Sequence, residues 1–277
     1  MSARAVVASE GLAALAGSGV LSGAAARERT LPVLPAFAEL LPQAVVQRGS
    51  VVGCEGSAAV SLALALAAGP SQEGAWVGVA GLPQVGVAAA VEVGVAPERL
   101  VLVAEPVEPG RRFDDAQWAD VLAAMIDGFD VLLLGPGTQW VKAGTARRLL
   151  ARLQSRGAVL LTVGAPGPFG ADLRFEATGG SWEGLGDGHG VARARMADVQ
   201  LSGRRAPRPR RAQLWLPAAD GQVQAVSSIA AAATLPANPA NPANPANPAA
   251  AGQHGLERPV APVAPVAAPV IELRRTG

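Results

Sequence analysis

Short apolar runs recur through residues 49–164, separated by segments of helical character, and this beat constrains the fold more than any other feature of the chain. The runs are Val51–Val52 in GSVVGCEGS, AWVGVAG (75–81), RLVLVAEP (99–106), DVLLLGPG (130–137) and AVLLTVG (158–164). The long Ala/Leu stretch after Gly53, PQVGVAAAVEVG, DDAQWADVLAAMIDG and GTARRLLARLQSRG lie between them and read as helices. Strands with continuous rather than alternating hydrophobicity have to be covered on both faces, which predicts a parallel sheet between helical layers. After residue 170 the pattern changes: ADLRFEA, VARARMADVQLSG and AQLWLP alternate closer to period two, as antiparallel strands at one edge would. The expected fold is α/β, with a mostly parallel sheet flanked by helices and a β appendage.

The first beat, GSVVGCEGSAAVSLALALAAG (49–69), has the strand–turn–helix order of a phosphate-binding loop. A working loop reads G-x-x-x-x-G-K-[ST], because glycines let backbone N–H groups converge on phosphate, lysine balances its charge and the hydroxyl binds Mg²⁺. Gly53 opens that pattern, but Ala58 stands at the second glycine, Ala59 at the lysine and Val60 at the hydroxyl. Ser57 and Ser61 flank these positions, and a one-residue shift brings Ser61 toward a metal position. No shift supplies the lysine, since Lys142 is the sole lysine of the chain. Glu55 reads as a helix cap or an exposed carboxylate, with no partner for catalysis.

Composition limits the remaining function classes. A net charge of +1 gives no general attraction to nucleic acid or membrane, so binding has to come from a local patch. One cysteine, Cys54, and two distant histidines, His189 and His254, argue against a disulfide framework, a cysteine-based zinc cluster and a His-based triad. Residues 1–30 read as an N-terminal arm; its basic start suggests a signal peptide, but Glu10 and the glycines interrupt the apolar part, and a cytoplasmic protein is expected. At the other end ANPANPANPANPAA and RPVAPVAPVAAPVIEL repeat proline about every third residue, which opposes helix and ladder alike. The expected division is therefore an arm over 1–30, a core over 31–217 and a disordered Pro/Ala-rich tail over 218–277, with the tail a spacer rather than a docking arm.

Two further stretches are candidate contact surfaces. RRAPRPRR places Arg204, Arg205, Arg208, Arg210 and Arg211 within eight residues, and Arg193 and Arg195 share one face of the preceding strand. Arginine binds phosphates and stacks on bases, so a weak single-stranded DNA contact is one reading, a protein-docking ridge a second and a solvated hairpin connection a third. With little aromatic support beyond Trp215, protein docking is favoured over DNA. GGSWEGLGDGHG (179–190) reads as a flexible or partner-binding loop, and the five tryptophans as core or interface anchors.

Three stretches, LPAFAELLPQAVVQRGSVVGCEGS, GAWVGVAGLPQVGVAAAVEVGVAPERLVLVAEP and FDVLLLGPG, resemble the core of the RecA recombinase fold. RGSVV, GHGVARARMADVQLSGRRAPRPRRAQLWLP and the arginine-rich, lysine-poor character further resemble the RecA-like accessory proteins of the inducible-mutagenesis cassette, the ImuA type in its actinobacterial branch. The resemblance covers roughly residues 31–217. It implies a RecA-like P-loop-type core and a place in the DNA damage response, supporting error-prone translesion synthesis. The implied partners are a Y-family-like polymerase adaptor and an error-prone replicative-type polymerase, with recombinase protomers as a further option and no membrane. RecA-type ATPases carry a metal-binding aspartate where this chain has Gly135, and a catalytic glutamate in the region occupied here by Leu82, Pro83 and Gln84. With lysine, hydroxyl, metal carboxylate and general base all absent, the expected protein is a non-catalytic scaffold that uses neither ATP nor Mg²⁺. The alternative is a recombinase-like, ATP-dependent DNA-binding enzyme with an unconventional site. A Rossmann-type enzyme fits poorly, because GVAGLPQVG lacks the G-x-G-x-x-G spacing.

Overall fold

A computed structural model describes residues 29–41, 43–104, 113–186 and 189–226. Residues 1–28 of the expected arm and residues 227–277 of the expected tail, His254 among them, lie outside the described residues. Each apolar run forms a strand: β3 (Val51–Gly56), β4 (Val77–Ala80), β5 (Leu100–Val103), β6 (Val131–Leu134) and β7 (Val159–Val163). Helices α1 (Ala59–Gln72), α2 (Val87–Glu92), α3 (Asp115–Gly128) and α4 (Ala143–Arg156) alternate with them, as the beat predicts. Three long strands follow, β8 (Leu173–Gly186), β9 (His189–Gly203) and β10 (Ala206–Trp215), then the short β11 (Gln224–Ala225). Near the start, β1 (Thr30–Pro32) and β2 (Val45–Gln47) form a separate antiparallel pair.

The large sheet has nine strands in the order β11-β10-β9-β8-β3-β7-β6-β4-β5. All pairings from β5 across to β8 are parallel, while β9, β10 and β11 pair antiparallel. Two apolar layers cover the sheet. On one face Val52, Cys54, Leu161 and Val79 meet α1, whose residues from Leu62 to Ser71 are all buried, and this layer continues onto Phe175, Val199, Leu201 and Leu214 of the later strands. On the other face Val51, Leu132, Leu134 and Leu160 meet Trp118, Leu122, Leu149 and Leu153 of α3 and α4.

Helices α3 and α4 lie side by side and are tied at both ends. Asp114 caps α3 through a reciprocal capping box with Gln117, the signature of a sharp helix start. At this end Asp115 accepts from the Lys142 N–H (2.7 Å) and from Thr145 Oγ1 (3.0 Å), and the Lys142 N–H above all holds its carboxyl below the usual range. At the far end Asp127 accepts from Arg152 and Arg156, which lower its pKa to about 2, Arg152 contributing most. A folded-state pKa below the unfolded value of about 3.9 means that the contribution is full above that pH and is lost as pH falls toward 2. Asp127→Asn is therefore expected to flatten the acid limb of melting temperature against pH between about pH 4 and 2, and an unchanged limb would place the ion pair outside the acid response.

Three expectations need correction. The folded part does not stop near Pro217: Ala218 and Val223 are buried, β11 pairs with β10, and the Val226 N–H donates to the Gln213 carbonyl. The first of the three later strands, β8, is not simply an antiparallel edge, because it runs parallel to β3 and antiparallel only to β9. The described part of the glycine-rich stretch around Trp182 is strand rather than loop; β8 and β9 form a two-stranded ribbon that continues beyond the last β3 pairing at Gly56–Ala177.

Candidate functional site

Ligands of open parallel sheets bind at the carboxyl ends of the strands, which makes the β3–α1 junction the place to look. Here β3 runs straight through the residues that would form a phosphate cradle. Gly53, Cys54, Glu55 and Gly56 all pair with β8, so these positions lie in a ladder and not in a loop. Only Ser57 and Ala58 separate the strand from α1, whose first residue is Ala59. The Ser57 N–H donates to the Ala177 carbonyl at 3.1 Å instead of turning inward. Gly56 has φ +84°, and a Cβ on it would lie 2.0 Å from that same carbonyl oxygen, so the close approach of β8 requires glycine.

Arg195 of β9 reaches this junction. Its guanidinium donates to the Ser57 carbonyl (3.1 Å) and to Ser57 Oγ (2.7 Å), and it lies 5.7 Å from the centre of the Trp182 ring. The start of α1 has no side-chain cap and no acidic residue in its first turn, and Ser61 is half-buried there. Glu55 caps nothing; it pairs with Arg174 of β8 at 3.1 Å. The nearby Thr162 Oγ1 is buried without a hydrogen-bond partner. Burial, and secondarily the Glu55 carboxylate, pushes the Cys54 thiol far above its ordinary value, so this sulfur is a packing group.

The other two RecA-type positions lie along the same end of the sheet. Gly135 follows β6, and its N–H donates to the Ala80 carbonyl at 2.9 Å. A Cβ there would fall 2.0 Å from the Gly81 carbonyl oxygen and 2.8 Å from a Leu82 methyl, so the ends of β6 and β4 close on each other. Leu82, at the catalytic-glutamate region, is itself buried. Among the described residues no group of three His, Cys, Asp or Glu converges as a metal site.

The arginine-rich stretch is split by the fold. Arg204 and Arg205 sit in the β9–β10 turn, and Arg208, Arg210 and Arg211 lie on β10. Arg204 pairs with Asp172 at 2.8 Å, and Arg205 bonds Gln47. Arg210 donates to the Leu40 carbonyl at 3.3 Å, and Arg211 to Gln200 at 3.0 Å. Asp172 also accepts from the Val51 N–H, so the turn is tied to the start of the central strand. Together with Pro207, Pro209 and a shift of register before Arg210, these arginines blunt the outer edge of the sheet. The structure thus separates them from Arg193 and Arg195, which lie on the ribbon. Sequence reasoning missed Arg174 and Thr162; the alternation in ADLRFEA marks Arg174 as outward-facing, whereas nothing in AVLLTVG distinguishes Thr162.

Two comparisons with known proteins find similarity to part of the chain. A family described as MT3502 N-terminal domain matches residues 39–168, which take in β2 through β7 and stop before the β8–β10 strands. Uncharacterized protein Rv3395c of Mycobacterium tuberculosis (strain ATCC 25618 / H37Rv) is 31% identical over 130 residues, 47% of this chain. The chain spans about half the length of that relative, 52% of it. No helix among the described residues is long and apolar enough to cross a membrane.

Proposed function

We propose that this protein is a non-catalytic, RecA-like accessory protein of the ImuA type, acting in the cytoplasm to support error-prone translesion synthesis through protein–protein contacts. The parallel order β5-β4-β6-β7-β3-β8, with β3–α1 in the strand–turn–helix position and an antiparallel β9, supports a RecA-like core. Similarity to an actinobacterial protein agrees with the actinobacterial branch. The observation that carries the non-catalytic reading is the double closure at the carboxyl end, at Gly56 against Ala177 and at Gly135 against Gly81. Hydrolysis needs groups aimed at developing charge; the approach at Gly135 leaves no room for a side chain at the matched metal-carboxylate position, and the approach at Gly56 goes with pairing that keeps Gly53 to Gly56 in the β3–β8 ladder and out of a phosphate cradle. In the DNA damage response the protein bridges a Y-family-like polymerase adaptor and an error-prone replicative-type polymerase.

The test is capture of partners by the full chain from actinobacterial cells treated with a DNA-damaging agent, run beside phosphate release by the pure protein with Mg²⁺-ATP and single-stranded DNA. Recovery of the adaptor with background phosphate release is the expected result. DNA-stimulated turnover without adaptor overturns it in favour of a recombinase-like ATPase.

A further inference from the structure

The nine-stranded sheet ends differently on its two sides. Beyond β9, the strand β10 carries Pro207, Pro209 and a shift of register, features that discourage further pairing. On the other side β5 pairs with β4 and with no other described strand, and it reads Leu-Val-Leu-Val without charge, proline or bulge. Alternate residues of an edge strand turn their N–H and carbonyl groups outward, so β5 is a template for one more strand. Its side chains are apolar toward both layers: Leu100 and Leu102 join that of α1, and Val103 that of α3 and α4. Just before it, the Arg99 guanidinium lies 5.0 Å from the centre of the Trp76 ring. No carboxylate among the described residues pairs with Arg99.

We propose that residues 270–273 of the same molecule pair with the outer edge of β5 as a tenth strand, with Ile271 and Leu273 on the face of Leu100 and Leu102 and Glu272 beside Arg99. Residues 227–269 are the spacer that carries them there. Val270 and Ile271 are the sole adjacent β-branched residues after residue 227, and Glu272 and Leu273 follow them, which makes this stretch the strand-forming part of the tail. Alternation puts Ile271 and Leu273 on one face and Glu272 on the other, so apolar contact with the leucines brings the carboxylate to the guanidinium side. Length selects the tail over other occupants. Val226 follows β11, and β11 and β5 are opposite edges of nine strands, about 38 Å apart at about 4.8 Å per spacing. The 43 residues from 227 to 269 have an r.m.s. span of about 33–39 Å as a flexible chain, and their prolines extend it. A tether matched to its distance holds the segment at an effective concentration on the order of 1 mM. Pairing with a dissociation constant of about 0.1 mM is then sufficient, although it is too weak to hold a second copy at micromolar concentration.

Amide hydrogen exchange tests this on the full chain at micromolar concentration, beside Ile271→Pro and a chain lacking residues 269–277. Proline removes a donor and opposes the added strand, so both changes are expected to speed exchange of the outward amides of β5 about tenfold, the ratio of effective concentration to dissociation constant. Amides of β6 should stay as slow as in the parent, which verifies folding. A peptide of residues 267–277, added at about 1 mM to the shortened chain, should restore the protection. Outward β5 amides that exchange equally fast in the parent and in both variants would show that residues 270–273 do not cover this edge. Equal protection in all three would do the same. Protection that rises with protein concentration would assign the edge to a second copy, and protection lost on removing residues 1–28 instead would assign it to the N-terminal arm; either result overturns the proposal.

Discussion

Gly135→Asp is expected to lower the melting temperature by roughly 10 °C or more, and not to create a metal site. The new Cβ would lie 2.0 Å from the Gly81 carbonyl oxygen and 2.7 Å from its carbon, contacts with backbone that no rotamer change relieves. Either β4 or β6 must shift at its carboxyl end, where the Gly135 N–H donates to the Ala80 carbonyl and Leu134 and Ala80 are buried in the α3–α4 layer. Disrupted core backbone with a buried, unpaired carboxylate belongs to the severe class of substitutions, about 3–5 kcal/mol, and each kcal/mol moves the midpoint of a domain this size by about 2–4 °C. Gly135→Ala meets the same carbonyl, so it should show most of the loss without any charge. Ala59→Lys is the informative contrast: residue 59 is half-buried at the first position of α1, and a lysine there reaches solvent. That variant should fold and show no ATP turnover above background. A Gly135→Asp protein melting within a few degrees of the parent would mean that the two strand ends are not closed as described.

The sequence makes the parallel half of the sheet legible because one physical rule governs it. Runs such as Val131–Leu134 and Val159–Val163 are buried on both faces, and only a strand between two helical layers tolerates that pattern. The missing lysine is legible too, since an absent lysine is a chemical fact and not a conformational one. What stays hidden depends on partners far away in the chain. Gly179–Gly190 has the composition of a loop, and only pairing across the hairpin makes most of it strand. The run Arg204–Arg211 has the composition of a binding ridge, yet Asp172, Gln47, Leu40 and Gln200 hold four of its five guanidinium groups at sequence separations of 11 to 170. Residues 218–226 look like the beginning of a proline-rich tail, but Val223 finds a place in the same apolar layer as Leu214 and Leu216. The sheet is written in local periodicity, whereas the site's surroundings are written in contacts that local periodicity does not encode.

The β8–β10 strands lie outside residues 39–168, the part similar to the MT3502 N-terminal domain, and one substitution tests whether they are an appendage or part of the core. Phe175 of β8 is fully buried, and its ring meets Phe37 edge to face, with centroids 5.9 Å apart and an interplanar angle of 85°. Phe37 belongs to the segment before β2, and both rings lie in the apolar layer that includes α1 and reaches Val199, Leu201 and Leu214. Removing the side chain takes apolar area from water exclusion and leaves a cavity between three elements that other contacts keep in place. Phe175→Ala is therefore expected to cost about 3–5 kcal/mol, a fall of roughly 10 °C in melting temperature. The form of the transition matters as much as its midpoint. A shared layer predicts that thermal unfolding stays a single step, with fluorescence and far-ultraviolet ellipticity falling together, because β8 pairs directly with the central strand β3 and cannot leave without exposing it. Two separated steps, with the β8–β10 region melting first at a lowered temperature and α1 and β3–β7 later at the parent value, would show instead that the two halves have independent cores.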